Sequence, residues 1–183
     1  MKKVMLMYPN CRWVEGWEDK TIWNLHPYNL CLLSATIEDR YEIKIIDANI
    51  DNLSREQFAK ILEAEKPDIV GISVLTNEYG HSGIIAGYIA KQVNPAIITI
   101  LGGVHAASDS KNIIQEKSID YLVVGEGEFV LGKLCDHITK GAAIPTCGIV
   151  FKKDSEIINL GRADFIEDLN ALPFPSYEKV DFA

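Results

Sequence analysis

Short apolar blocks alternate with amphipathic stretches along most of this chain. Lys3–Tyr8 is an apolar run closed by Pro9, which suits a strand buried on both faces. Pro27 stands where helices readily start, and helical spacing continues over Tyr28–Arg40. Tyr41–Asp47 reads as a second strand. Ser54-x-x-Gln57 forms a capping box ahead of Phe58, Ile61 and Leu62, which share one helical face. Pro67 ends that helix, and Asp68–Leu75 is a third strand. Within Glu78–Val93, Ile85, Tyr88, Ile89 and Gln92 recur at helical spacing until Pro95. A strand over Ala96–Leu101, a helix over Ser108–Lys117 and a strand over Asp120–Val124 follow. Phe129, Val130, Leu134 and Ile138 mark the helix after them.

Strand and helix in regular succession predict an α/β fold. It is a Rossmann-like or flavodoxin-like open parallel sheet of five strands with helices on both faces. The pattern then changes. Gly148–Phe151 and Glu156–Leu160, joined across Lys152-Lys153-Asp154-Ser155, predict a β-hairpin. Asp164–Ala183 contains Leu172-Pro173-Phe174-Pro175, which resists both helix and strand. The expected organisation is an α/β domain over 1–143, a hairpin extension over 144–163 and a linker over 164–183. Asn10–His26 is a long loop holding Trp13, Trp17 and Trp23, and loops of that length are usually functional or disordered.

With 183 residues, 48% of them hydrophobic, the chain can bury a sizeable core. A net charge of −8 and the lack of any Lys or Arg run argue against a nucleic-acid surface. No apolar stretch reaches the roughly 20 residues of a membrane span. The apolar start stops at Pro9, too early for an export signal. Cys11, Cys31, Cys135 and Cys147 show no C-x-x-C pair, disulfide framework, zinc spacing or iron–sulfur spacing. They read as reduced thiols of a cytoplasmic protein.

Gly71-Ile72-Ser73-Val74-Leu75-Thr76 ends one predicted strand, and Leu101-Gly102-Gly103-Val104-His105 ends the next. Neighbouring parallel strands would bring a hydroxyl-bearing loop and a double-glycine loop to one sheet edge, where open α/β sheets bind ligands. Small residues there would let a large, flat, phosphate-tailed ligand lie close to the backbone. A dinucleotide would require G-x-G-x-x-G after the first strand, and Pro9–Gly16 lacks it, although Asp47 stands where a ribose-binding acid would. A P-loop and the paired acids of a receiver domain are missing too. Each piece also has an ordinary reading. Glycines after strands serve as turn residues, Ser73 can satisfy its own backbone, and His105 can cap the next turn.

Ser73-Val74-Leu75-Thr76 followed by Gly102-Gly103 resembles the cobalamin-binding Rossmann-like domain. A fuller ordered set is Tyr8-Pro9, Pro27-x-x-Leu30, Pro67-Asp68-Ile69-Val70-Gly71-Ile72-Ser73, Leu101-Gly102-Gly103-x-His105 and Val124-Gly125-Glu126-Gly127-Glu128. That set is similar to the N-terminal domain of cobalamin-dependent radical S-adenosylmethionine enzymes. Leu172-Pro173-Phe174-Pro175 resembles that family's run into its catalytic barrel.

The resemblance implies a cobalamin site at the carboxyl edge of the sheet. Its contacts would come from Pro9 and Asn10, from Ser73, Val74, Leu75 and Thr76, from Gly102, Gly103, Val104 and His105, and from Gly125, Glu126, Gly127 and Glu128. Ser73 and Thr76 would offer hydroxyls to the nucleotide tail. The N–H groups of Gly125–Glu128 open a helix, although Glu126 and Glu128 disfavour a phosphate there. A branched side chain at Gly103 should block the tail and leave the fold largely intact.

The chain departs from the D-x-H-x-x-G motif whose histidine binds cobalt. His81-Ser82-Gly83 follows the third strand, but Tyr79 occupies the position of the aspartate. The expectation is that no histidine ligates cobalt and that the chain contributes no metal ligand. The lower cobalt face would be open or would meet Asn10, Arg12, Trp13, Leu75 or Thr76.

The implied parent enzymes hold a [4Fe–4S] cluster through C-x-x-x-C-x-x-C and cleave S-adenosylmethionine, and many are methyltransferases. That motif is not in this sequence, nor is the barrel of roughly 200 residues or more that carries it. The chain alone is therefore expected to be non-catalytic, with 164–183 leading to a barrel supplied in cis or in trans. Its expected partners are cobalamin and that barrel, with no nucleic acid and no membrane. Two other classes stay open. One is a scaffold or interaction domain whose Asn10–Trp23 segment fills the edge. The other, disfavoured by the missing glycine fingerprint, is a nucleotide-binding oxidoreductase domain.

Overall fold

The computed structural model describes residues 1–19 and 26–180, so Trp23 and the last three residues of the expected linker lie outside the described residues. In chain order the elements are β1 (Lys3–Tyr8), α1 (Tyr28–Ala35), β2 (Glu42–Asp47), α2 (Arg55–Glu65), β3 (Ile69–Ser73), α3 (Gly80–Val93) and β4 (Ile98–Gly102). Then come α4 (Val104–Ser108), α5 (Ser110–Ile113), β5 (Tyr121–Val123), α6 (Val130–Lys140), β6 (Ile149–Lys153) and β7 (Glu156–Asn159).

The strands form one sheet in the order β2-β1-β3-β4-β5-β6-β7. The first five in that order are parallel, and β6 and β7 are antiparallel. The α/β class holds, but the expected five strands become seven. The 148–160 hairpin pairs with the free edge of β5 and continues the sheet. Pairing satisfies edge N–H and C=O groups that would otherwise be exposed, and the Tyr121 and Phe151 rings meet across the junction at 5.7 Å.

Local chemistry sets the element ends. Ser54 and Gln57 close a reciprocal capping box at the start of α2. That helix stops at Lys66, in the left-handed region at φ 50°, just before Pro67. α1 ends five residues earlier than the expected Arg40. There the Thr36 hydroxyl donates to the Leu33 carbonyl at 2.8 Å, and Ile37 N–H bonds Ser34 in a tightened turn. The helix expected over 108–117 becomes the two short helices α4 and α5, broken at Asp109 (φ −134°, ψ 33°).

Strand alternation divides the core between two layers. Met5, Val70, Ile72 and Leu101 face α2 and α3, where Phe58, Leu62, Ala86 and Ile89 pack on them. Leu6, Ile69, Ile100 and Val123 face α1 and α6, with Leu30, Leu131 and Leu134. The tail then returns over α1. Ser176 N–H donates to the Cys31 carbonyl at 3.1 Å. The Ser176 hydroxyl donates to Glu38 at 2.7 Å, and Lys179 pairs with the same carboxylate at 3.3 Å. No helix among the described residues is long and apolar enough to cross a membrane.

Candidate functional site

Period-two alternation also shapes the end of the sheet. On β3 and β4, Ile69 and Ile100 point toward α1 and α6, and the next residues on that face are Gly71, Ser73 and Gly102. Ser73 and Gly102 are register partners at the carboxyl ends of adjacent strands. Large side chains thus give way to small ones beneath α1 and α6. The result is a cavity of about 160 Å³, walled by Leu30 and Leu33 of α1 and Leu131 of α6, with Leu6 and Ile100 at its base. An apolar cavity of roughly 150 Å³ is known to hold a benzene ring, so this space suits one flat aromatic group.

The glycines here differ in what they permit. A Cβ at Gly102 would meet nothing nearer than 3.8 Å, so its hydrogen leaves usable space in the cavity. Gly103 has φ +93°, and a Cβ there would stand 2.4 Å from the Val74 carbonyl oxygen. The expectation that Gly103→Val spares the fold is therefore corrected, because both the left-handed backbone and the Val74 carbonyl oppose a side chain. Gly125, at φ +99°, lies against the Ala163 backbone, which ties the 125–128 loop to the segment after β7.

Polar groups are few and directional. Asn29, in the first turn of α1, donates through Nδ2 to Ser73 Oγ at 3.1 Å and accepts from the Tyr8 hydroxyl. Burial, with Asp47 nearby, pushes the Tyr8 phenol far above its ordinary range. Glu128 lines the cavity mouth, and its Oε2 is buried with no hydrogen-bond partner among the described residues.

Ser73, Gly102, Gly103 and Gly125 through Glu128 all line this cavity. The other expected residues do not. Pro9 and Asn10 are buried at the end of β1. Asn10 Nδ2 donates to the Leu53 carbonyl and to Asn52, and its Oδ1 accepts from Arg12 N–H, so this side chain builds the loop. Trp13 is likewise engaged, with Nε1 donating to Leu53 at 2.8 Å and its ring against Phe58 at 5.5 Å. Arg12 reaches Asn52. Val74 is buried on the opposite face, and its carbonyl accepts from His105 N–H. Thr76 Oγ1 accepts from Glu78 N–H at 3.0 Å, closing a local turn below the partly buried Leu75.

Val104 is 56% exposed. The His105 ring lies over Gly80 and pairs with Asn77 at 3.1 Å, and burial lowers its pKa. His81 lines the groove between α2 and α3, and none of the four histidines lines the cavity. Asp47 caps its own turn by accepting from Asn49 and Ile50 N–H, which is a structural use of the acid. Among the described residues no group of three or more His, Cys, Asp or Glu could hold a metal ion.

Asn29, Leu33 and Leu131 enter the site without having been singled out in the sequence, and Gly71 had been quoted only as part of the strand-end motif. Gly71 and Ser73 were visible in period two as the small positions that follow Ile69 on its face of the strand. Asn29 is the lone polar side chain in Tyr28-Asn29-Leu30-Cys31-Leu32-Leu33, and nothing local says that it faces a strand end.

A family profile described as the B12 binding domain matches residues 23–134. An uncharacterized methyltransferase of Pyrococcus horikoshii is 30% identical over 154 residues, covering 83% of this chain and 33% of that protein. The structure of OxsB, a cobalamin-dependent S-adenosylmethionine radical enzyme with aqua-cobalamin and S-adenosylmethionine bound, superposes with a TM-score of 0.76 at 21% identity. It covers 97% of this chain and 24% of that one. The radical S-adenosylmethionine methyltransferase TsrM of Kitasatospora setae, with cobalamin and a [4Fe–4S] cluster bound, gives 0.71 at 20% identity, covering 88% and 31%. The chain thus spans a third or less of each of these proteins.

Proposed function

The chain belongs to the B12 binding domain family, and on that premise we propose that it is the cobalamin-holding module of a radical S-adenosylmethionine enzyme of methyltransferase type. The observation that carries the reading is the pairing of Ser73 with Gly102 over a cavity sized for one aromatic group. The cofactor's nucleotide tail would enter between the ends of β3 and β4, with its benzimidazole in the cavity and detached from cobalt. Leu30, Leu33 and Leu131 would cover the ring's faces, Gly102 would leave room for its passage, and Ser73 would offer a hydroxyl.

Glu128 fits the group as well. Its buried, unpartnered oxygen can accept from a ribose hydroxyl or a corrin amide arm, and it would repel a phosphate. Leu75 and Thr76, at the rim, would lie beneath the corrin. Asn10 and Trp13 are already committed to the loop and drop out of that role. No histidine of the chain would ligate cobalt. Bound cobalamin supplies methyl-carrying chemistry, while the protein supplies position and environment. The iron–sulfur cluster and S-adenosylmethionine would belong to a barrel reached through the 164–180 tail or brought in trans.

Titration of the purified chain with hydroxocobalamin, read by visible absorbance and calorimetry, tests this. Saturable binding near one to one is expected, and its absence overturns the reading. Reduction of the complex to Co(II) should give an electron paramagnetic resonance spectrum without nitrogen superhyperfine splitting. Such splitting would put an imidazole or the benzimidazole on cobalt.

A further inference from the structure

Among the described residues two buried side-chain oxygens have no hydrogen-bond partner, Glu128 Oε2 and Asp47 Oδ2. Glu128 stands at the cavity mouth. Asp47 is the last residue of β2, farther along the same sheet edge. Strand register sets it in a row. Asp47 pairs with Tyr8, Met7 pairs with Ile72 so that Tyr8 stands beside Ser73, and Ser73 pairs with Gly102. The row shares the α1/α6 face, since Tyr8 continues the alternation of Val4 and Leu6, and Asp47 that of Ile43 and Ile45. At the usual strand spacing, Asp47 lies roughly 10 Å from Ser73, clear of the path between β3 and β4.

The turn after β2 uses only Oδ1 of Asp47, which accepts from Asn49 N–H at 3.0 Å and Ile50 N–H at 2.9 Å. The neighbouring donor in the row, the Tyr8 hydroxyl, is committed to Asn29. Oδ2 is therefore an acceptor out of water with nothing to accept, a cost that a ligand donor would remove. Burial raises the Asp47 pKa, and the two N–H bonds and His26 oppose the rise.

Resting on the cobalamin reading above, we infer that Asp47 is a specificity residue for the rim of the corrin: its Oδ2 accepts an N–H from one of the propionamide arms b, d or e, and the site rejects a corrinoid that carries a carboxylate on that arm. The nucleotide tail hangs from the lower face of the corrin, as these arms do. A tail entering between β3 and β4 therefore brings the arms over the row. An amide supplies the donor that Oδ2 lacks. A carboxylate supplies none and sets a second negative charge against the first, which is strongly disfavoured.

The test titrates the full chain with cobalamin and with its b-, d- and e-monocarboxylic acids, at mildly alkaline pH where the carboxyls are ionised. The affinity ratio of cobalamin to one of these acids should be about tenfold or more larger in the unaltered chain than in Asp47→Asn. Asparagine keeps Oδ1 for the turn and sets an amide N–H where Oδ2 stood. That N–H can donate to the carboxylate, and an amide arm can turn its carbonyl toward it, so cobalamin itself should lose little. The ratios for the other acids should not move, whatever Glu128 contributes to them, and the melting temperature shows that the variant is folded. Asp47→Asn moving no ratio, or moving all of them alike, overturns the inference and leaves the acid only its turn. Should the variant unfold, equal affinity of the unaltered chain for all the acids overturns it, and weaker binding of one acid supports it. Failure of cobalamin to bind the unaltered chain overturns the cobalamin reading itself.

Discussion

The two faces of the sheet use glycine for opposite purposes. On the α2/α3 face the glycines are in the helix. A Cβ at Gly83 would stand 2.7 Å from Val74 Cγ2 and 2.9 Å from Leu101 Cδ1, and one at Gly87 would stand 2.7 Å from the Ser118 carbonyl oxygen. Bare backbone on α3 lets it settle against the large side chains Ile72, Val74 and Leu101. On the α1/α6 face the glycines that line the cavity are in the strands and loops, and the large residues that wall it are on the helices. Gly71 and Gly102 sit opposite Leu30, Leu33 and Leu131, which span the gap without filling it. Removing side chains from the helix closes one face, and removing them from the strand ends opens the other. The open face is thus the one whose small residues lie at the ends of paired strands, where the sheet keeps the space from collapsing cheaply.

The strongest way to break this comparison is to overfill the closed face. Gly83→Val puts a branched side chain into contacts that are already too short for a Cβ, so Val74 and Leu101 must move. Overpacking of this kind should cost on the order of 2–3 kcal/mol, or roughly 4–12 °C of melting temperature. Thermal unfolding of the variant checks it. A melting temperature within a degree of the parent would mean that α3 does not sit as close to the sheet as its glycines imply.

Filling the open face should do the reverse. Gly102→Val adds a side chain that meets nothing nearer than 3.8 Å at its Cβ, in a strand where valine is favoured. Stability should change by less than about 1 kcal/mol, while cobalamin affinity falls by about two orders of magnitude. Calorimetry and melting on the same sample give both numbers. Gly103→Val cannot make this separation, since its backbone and the Val74 carbonyl penalise the fold directly.

Much of this contrast was legible in the sequence. An apolar run closed by Pro9 and helical spacings stopped by Pro67 and Pro95 predicted the strands and helices in order. The succession Ile69-Val70-Gly71-Ile72-Ser73 already carries the alternation that makes one face large and the other small. The capping box at Ser54 placed the start of α2 to the residue. The parts that were not legible are those decided by tertiary contact. The hairpin reads as an appendage because nothing in 149–159 names its partner strand, and only the open edge of β5 does so. Asn29 is invisible because its role depends on α1 lying across the end of β3, more than forty residues away. Asn10 and Trp13 were overvalued for the converse reason. Their polar atoms find Leu53 and Asn52 beyond the next strand, and a loop rich in aromatic and amide groups looks the same on paper whether it faces a ligand or itself.

A smaller effect would sharpen the comparison at its outer layer, because the tail crosses the open face. Ser176 and Lys179 meet at Glu38, just past α1, and Ser176 N–H holds the Cys31 carbonyl of that helix. The Ser176 hydroxyl, followed by the Lys179 ammonium, holds the Glu38 carboxyl below its ordinary range. A carboxyl with a depressed folded pKa adds stability above the unfolded value and loses it as pH falls through the folded one. The clamp should therefore be intact at neutral pH and loosen only below the usual carboxylate range. Its contribution is modest because the Glu38 side chain is 36% exposed and solvent screens the pair. Hydrogen exchange, corrected for intrinsic rates, should show the Ser176 amide losing protection on acidification while the amides of α3 keep theirs. Glu38→Gln keeps an acceptor for Ser176 but not the charge for Lys179, so its tail should exchange faster at neutral pH and respond less to acid. Loss of protection on both faces together would mean that acid unfolds the whole domain and that the tail is not held separately over the cavity side.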